Sequence, residues 1–434
     1  MSKNSLRADT NRIIDESIRA VQPDEAVKRA LRIWGFTKPL SESSSNSASE
    51  LASTDHTGRT ILVATGKAAW QMAKSAMDEI GPQIDDGVVV TKYEHVKREI
   101  NSLTCIEAGH PVPDENSFRG TQMAIDLVQN LSLDDRVLFL LSGGGSALFE
   151  SPLIDEHELQ DITNALLACG ADIVEINTIR KRLSAVKGGR FAKLCEPAHV
   201  YTIVLSDILG DPLDMIASGP ACADTTTCAD AKAIIQKYGI SLSDKAAKCM
   251  EQETPKELTN VTTQITGSVR ELCVAAANAC ECLGYKPVFL TDLLNCEARH
   301  AGAFMASILK SHKDTNENLA FIAGGETVVH LTGTGKGGRN QELALSAAHG
   351  IAGLENVALF SIGSDGTDGP TDAAGGYVDG ETLRMLTEKD INIFEVLQNN
   401  DAYHALQTAD GLIITGPTGT NVNDVAVGLI RVSE

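Results

Sequence analysis

The peptide ATGKAAW, residues 64–70, sets Lys67 where an apolar run gives way to a helix-like one. A helix dipole favours negative charge at that end, so a lysine there fits a cation that meets a bound anion. LLSGGGSALF, residues 140–149, sends an apolar run into Ser142, Gly143, Gly144, Gly145 and Ser146. Successive glycines let backbone N–H groups converge on an anion, which makes this turn a candidate phosphate cradle. A third glycine turn, TGTGKGGRNQELAL at 332–345, has Gly333, Gly335 and Gly338 in the G-x-G-x-x-G spacing of dinucleotide sites. The acidic residue that such a site needs about 20 positions on is missing from the right place, since Glu355 precedes its strand. Lys336 and Arg339 lie inside or beside the turn instead, which favours a clamp for a carboxylate or phosphate over a nicotinamide site.

Carboxylates complete the inventory. LSDILGDP supplies Asp207 and Asp211, and SIGSDGTDGPTD supplies Asp365, Asp368 and Asp372. Asp368 reads as a turn former. Asp207 and Asp365, at the mouths of apolar strands, are candidates for holding Mg²⁺ or orienting a hydroxyl. NTIRKRLSAVKGGR, residues 177–190, concentrates Arg180, Lys181, Arg182, Lys187 and Arg190. Such runs are commonly solvated helix faces, yet in an acidic chain one member is a candidate phosphate ligand. Lys67 does not belong to a G-x-x-x-x-G-K-[ST] loop: no glycine stands five residues before Gly66, and Ala68 follows the lysine.

The elements that must carry these groups alternate. TILVATG, DGVVVTK, LTCIEAG, RVLFLL and HVYTIVLSD read as strands, with helices between them, and EINTIRKRLSAVKGGRFAKL reads as one long basic helix. A polar stretch at 251–264 is the expected linker. A second alternation follows, with KPVFLT, NLAFIAGG, ETVVHLT and VALFSIG as strands and NQELALSAAHG as a helix. Apolar strands alternating with amphipathic helices predict mostly parallel sheets covered on both faces, with ligands at the strands' C-terminal ends. The expected fold class is α/β with two domains, 1–255 and 256–434. Residues 11–35 read as helical, and a helix from this end could pack on the second domain.

At 434 residues the chain is long enough for two or three domains. A net charge of -21 argues against nucleic acid or an anionic membrane as a partner. The ten cysteines form no C-x-x-C pair, and they read as buried, reduced thiols of a cytoplasmic protein. Residues 41–57 are a serine-rich insertion.

Together GKAAWQMA, GHPVPDENS, LSGGGSALFESP, NTIRKRLSAVKGGR, LSDILGDPLDMIASGP, GGETVVHLTGTGKGGRNQELAL, GSDGTDGPTDAAGG and GPTGTNVND resemble the class II glycerate 2-kinases with a C-terminal MOFRL domain. Members have often been labelled hydroxypyruvate reductases. The resemblance implies two three-layer α/β/α domains, the first Rossmann-like and the second a smaller MOFRL domain (about 318–428), flanking an active-site cleft. It implies ATP-dependent, Mg²⁺-assisted phosphorylation of D-glycerate at its 2-hydroxyl, with Lys67 and Arg339 catalytic. On that reading Ser142 to Ser146, Lys187, Gly335 and Gly337 hold the nucleotide phosphates. Glu326, Asn340 and Asp365 join Arg339 around the substrate, and Asp207 orients the glycerate hydroxyl or a metal-bound water. A nicotinamide-dependent hydroxypyruvate reductase and a non-catalytic sugar-acid-binding protein are the alternatives. The assembly is left open, a homodimer among the options.

Overall fold

The computed structural model describes residues 4–37 and 57–432. The serine-rich segment lies, as far as residue 56, outside the described residues. Two compact units divide the chain. One gathers residues up to 25, 207–210 and 267 onward; the other holds 26–206 and 211–266.

The second of these, the N-terminal unit, is built on a six-stranded sheet in the order β3-β2-β1-β4-β5-β6. Its strands are β1 (Thr60–Thr65), β2 (Asp86–Lys92), β3 (Thr104–Ala108), β4 (Arg136–Leu141), β5 (His199–Leu205) and β6 (Val261–Gly267). Pairing is parallel from β3 across to β5. β1 and β4 are buried at every residue, as expected of central strands covered on both faces. On one face Leu62, Leu138 and Leu140 pack under the helix Ala69–Ile80 with Trp34, Phe36 and Tyr201. On the other, the Phe139, Phe149 and Phe191 rings lie 4.9–5.5 Å apart.

The C-terminal unit carries a second six-stranded sheet, ordered β11-β10-β9-β12-β8-β7. Its strands are β7 (Lys286–Leu294), β8 (Leu319–Gly325), β9 (Val357–Gly363), β10 (Gly375–Asp379), β11 (Leu412–Ile413) and β12 (Asp424–Ile430). Helices Asn4–Ala20 and Val269–Cys282 cover one face through Ile13, Ile14, Ile18, Leu272 and Ala276. Helices Ala298–Ser311 and Arg339–Gly350 cover the other. The N-terminal helix thus does pack on the C-terminal unit.

Several sequence expectations are corrected. The second sheet is mixed, because the last strand, β12, inserts antiparallel between β8 and β9, while only β7 and β8 pair in parallel. Residues 261–264 of the expected linker are the start of β6 and belong to the first sheet. ETVVHLT contributes only an isolated bridge at Val328 and no strand. Residues 11–35 form parts of two helices, Asn4–Ala20 and Pro23–Ile33, because proline starts the second. The basic helix is also two, Ile173–Leu183 and Arg190–Leu194, divided where Gly188 and Gly189 turn left-handed (φ 58° and 82°). Four cysteines are buried, at 195, 249, 273 and 280; the other six are partly or fully exposed, and all ten are free thiols.

Three members of the basic run are turned inward, which corrects its reading as a solvated face. Lys181, Arg182 and Lys187 are completely buried. Lys181 bridges Asp214 and Asp224, and Arg182 donates to the Thr178 and Thr226 carbonyls. Lys187 lies behind the glycine loop after β4. It donates to the carbonyls of Ser146 (3.0 Å) and Phe149 (2.8 Å) and pairs with buried Glu150 at 2.9 Å. Burial brings its pKa down to about 8, against the pull of Glu150. Two hydrogen bonds to the loop and the ion pair with Glu150 make this ammonium an anchor behind the loop, with 0% of its side chain exposed to meet a phosphate.

Lys187→Met should therefore destabilise the protein by about 3–5 kcal/mol, because Glu150 is left buried without its counter-charge. Lys187→Met with Glu150→Gln should recover most of the loss in urea unfolding. Additive losses in the double variant would exclude the pair as the loop's anchor.

Candidate active site

The order of the first sheet reverses between β1 and β4, and in sheets of this kind the connections part there and leave a crevice at the strands' C-terminal ends. The loops after these two strands are tied together. Ser142 N donates to Thr65 O (3.0 Å), Lys67 N to Gly143 O (2.8 Å) and Ala68 N to Ser142 Oγ (3.1 Å). Gly144 adopts φ 85°, and a Cβ there would come within 3.0 Å of the His110 ring and 3.3 Å of Lys67 Cγ. Lys67, His110 and the glycine loop are thus one cluster. Ser146 sits at its edge, its hydroxyl 3.1 Å from Ser218 Oγ.

The amides of Gly143 and Gly144 have no backbone acceptor among the described residues. The helix Ala69–Ile80, which Lys67 precedes, has neither a side-chain cap nor an acidic residue in its first turn. Half-buried Lys67 has no carboxylate within ion-pair distance of its Nζ among the described residues. A positive helix end, a lysine and open amides together fit an anion of high charge. His95 Nδ1 donates to the Lys67 carbonyl at 2.9 Å. Burial, then the charges of Lys67, Lys92 and His95, hold the His110 imidazole below its ordinary 6.5, so it is neutral at pH 7.

The second candidate cluster belongs to the C-terminal unit. Because β12 runs antiparallel, its first residue, Asp424, lies level with the last residues of β8 and β9, opposite Gly325 and Gly363. Arg339 opens the helix Arg339–Gly350 and grips Asp424 through two parallel bonds, Nε to Oδ2 at 2.6 Å and Nη2 to Oδ1 at 3.0 Å. Nη1 donates to Glu326 Oε1 at 3.1 Å. Three of the five guanidinium N–H groups are engaged in this way, leaving one on each terminal nitrogen. Burial pushes Asp424 up to about 6 against the Arg339 charge, with the neighbouring Asp368 adding to the rise. Burial alone would lower Arg339; its bonds to Asp424 outweigh that and hold it above its ordinary value.

Asp368 does more than shape a turn. It caps the same helix, accepting from Asn340 N (3.1 Å), Gln341 N (2.9 Å) and Gln341 Nε2 (3.0 Å). Asn340, expected at the substrate, is 1% exposed, and its Oδ1 accepts from Ser361 Oγ at 2.6 Å. It is a buried brace, not a substrate ligand. Asp365 is half-buried, and its Oδ1 accepts from Thr367 N at 3.0 Å. Asp207 belongs to this unit, half-buried, with its carbonyl accepting from Asn423 Nδ2 at 3.0 Å.

The first half of the G-x-G-x-x-G turn is tied to the chain itself. Thr332 N and Gly333 N donate to Asn400 Oδ1, Gly335 N to Asn399 O and Lys336 N to Asp401 Oδ1, all at 2.7–3.0 Å. Gly335 therefore has no amide left for a nucleotide, while Gly337 packs beside Ala402. Lys336 Nζ lies 4.1 Å from the centre of the Tyr403 ring.

The sequence reading missed His110, His95 and Asp424 as members of these clusters. His110 stands in GHPVPDENS and Asp424 ends GPTGTNVND, so both lay inside segments already singled out. Among the described residues no group of three or more His, Cys, Asp or Glu could hold a metal ion by itself.

Comparison with known proteins is consistent over the whole chain. Residues 9–251 match the family described as a domain of unknown function (DUF4147), and residues 319–424 match the MOFRL family. A D-glycerate 2-kinase of Thermotoga maritima is 50% identical over 98% of this chain and 99% of its own. A glycerate 2-kinase of Pyrococcus horikoshii is 39% identical over 96% of each, and a putative hydroxypyruvate reductase of Agrobacterium vitis is 40% identical over 86% and 87%. The crystal structure of glycerate kinase from Thermotoga maritima superposes with a TM-score of 0.90 at 49% identity, covering 99% of this chain and 100% of that one. The chain belongs to the DUF4147/MOFRL family, the family of the glycerate 2-kinases.

Proposed function

We propose that this protein is an ATP-dependent D-glycerate 2-kinase, transferring the γ-phosphoryl group to the 2-hydroxyl to give 2-phosphoglycerate and ADP. The observation that carries the reading is Lys67: a half-buried cation without a counter-charge among the described residues, beside open glycine amides at a topological switch point. A triphosphate supplies the missing negative charge. The full-length similarity to proteins named glycerate 2-kinase supports the same choice.

Phosphoryl transfer needs alignment and charge neutralisation more than covalent help from the protein. Lys67 and the amides of Gly143 and Gly144 take the nucleotide phosphates, and Ser142 fixes the loop that presents them. Arg339 takes the glycerate carboxylate. Its surroundings support this assignment, since Asp424, Asp368 and Glu326 all lie close to it and would repel a triphosphate more strongly than a monoanion. Asp207 orients the 2-hydroxyl, whose oxygen attacks the γ-phosphorus as the bond from that phosphorus to the β–γ bridging oxygen breaks; ADP leaves, and the hydroxyl proton passes to solvent.

Mg²⁺ suits the oxygen donors here. It commonly takes one or two carboxylates together with phosphate oxygens and water, and half-buried Asp207 and Asp365 are the carboxylates that would hold it. When bound it neutralises phosphate charge. The G-x-G-x-x-G spacing that suggested a dinucleotide gives the reductase alternative little support, because the amides of Gly333, Gly335 and Lys336 are tied to Asn400, Asn399 and Asp401. Free thiols throughout accord with a reducing compartment, and the cytoplasm is the proposed location.

A coupled assay should show ADP release that depends on D-glycerate, with no oxidation of NADH or NADPH by hydroxypyruvate. The reverse pattern would overturn the proposal. Lys67→Ala should lower kcat by roughly 10²–10³-fold, as for loss of one electrostatic stabiliser, and full activity in that variant would remove Lys67 from the site. A separate check follows His110 by NMR. Its titration midpoint should rise in Lys67→Met, because a neighbouring positive charge has gone, and should rise in the wild type when ATP brings negative charge to the loop. An unmoved midpoint in both cases would place the lysine and the nucleotide away from this imidazole.

A further inference from the structure

The Arg339–Asp424 pair is unlike a surface ion pair. Asp424 is 6% exposed, its carboxylate lies at the first residue of a central strand, and both of its oxygens are engaged by one guanidinium. The bonds come from Nε and Nη2, which form the side edge of the guanidinium plane. A carboxylate that takes this edge fixes the plane's rotation as well as its position. Arg339 is also at the first position of its helix, where Asp368 has already taken the amides of Asn340 and Gln341. The helix end itself therefore has less to offer an incoming anion than the guanidinium does. What remains is the end edge, with one N–H on each of Nη1 and Nη2, partly covered by the 47% exposed side chain of Glu326.

We propose that Asp424 is a positioning residue for substrate recognition: it holds the side edge of Arg339 so that the end edge receives the carboxylate of the hydroxy acid, displacing the exposed Glu326. This rests on, and deepens, the assignment of glycerate to Arg339. Asp424 touches no substrate. It acts through the arginine, and the strand topology is what allows it to do so. A strand running parallel to β8 and β9 would bring its last residue to this rim; the antiparallel β12 brings its first.

The test is a double-mutant cycle read by D-glycerate affinity, from isothermal titration and from KM in the ADP assay, with KM for ATP followed alongside. Asp424→Asn keeps the shape but replaces one acceptor oxygen by a donor facing a donor. It should weaken glycerate about 10- to 100-fold, the range typical when a residue orienting a ligand is removed, and leave KM for ATP within about twofold. In an Arg339→Ala background the same change should add less than about twofold, because there is no guanidinium left to orient. Arg339→Lys keeps the charge without the fork, and should lose glycerate affinity nearly as far as Arg339→Ala. Unchanged glycerate affinity in Asp424→Asn, or a full additive loss on Arg339→Ala, overturns the proposal. If Asp424→Asn does not fold, Arg339→Lys decides: near wild-type glycerate binding refutes the edge geometry, and a loss sustains it. Titration reads binding without turnover, so a wild type that binds glycerate but releases no ADP refutes the kinase reading and not this one. A wild type that does not bind glycerate refutes both.

Discussion

A chain with a net charge of -21 can hold an anion only where a cation is kept from its own carboxylates. Most of its buried basic groups are not kept so. Lys181, Arg182 and Lys187 are each taken up by aspartate, glutamate or carbonyl oxygens in the interior, where they brace loops. Against that background a half-buried lysine without a carboxylate partner at a switch point is an expensive arrangement, since it sits at the positive end of a helix with no cap. The open glycine amides add to the same unbalanced positive potential. Each of these features is unfavourable alone, and on the proposed reading a bound phosphate chain makes them favourable together.

The second candidate cluster solves the same problem differently. Arg339 is surrounded by acids, yet its geometry divides it: one edge belongs to Asp424 and the other retains two N–H groups. A lysine could not be shared in this way, because its ammonium presents a point charge and no edges. Charge and shape thus sort the two anions of the proposed reaction. On the proposed reading the highly charged one goes to a cationic, amide-lined loop, and the monocarboxylate to an arginine whose net field has been reduced by its neighbours.

Local structure was legible in the sequence wherever it depended on adjacent residues. The strand–glycine–helix passages at 60–80 and 136–148 could be read from apolar runs that end in glycine, and the structure places both at the reversal of strand order. What could not be read was anything decided by distant pairing. Nothing in NQELALSAAHG reveals that its first amides are capped by Asp368, or that the glycines before it are held by residues more than sixty positions on. The basic run misled for the same reason. Its charges have the spacing of a helix face, and only the three-dimensional placement of Glu150, Asp214 and Asp224 shows that the face is internal.

The direction of β12 belongs to this class as well, and more follows from it than from any single motif. Periodicity identifies an apolar strand but not its sense, since the two-residue alternation is the same read either way. The alternating elements before it favour a parallel sheet, and with a parallel last strand Asp424 would lie at the far edge from Arg339. The antiparallel insertion reverses this. It brings the end of GPTGTNVND to the rim where β8 and β9 deliver Glu326 and Asp365, and so gathers onto one edge of the sheet residues that the sequence spreads from 326 to 424.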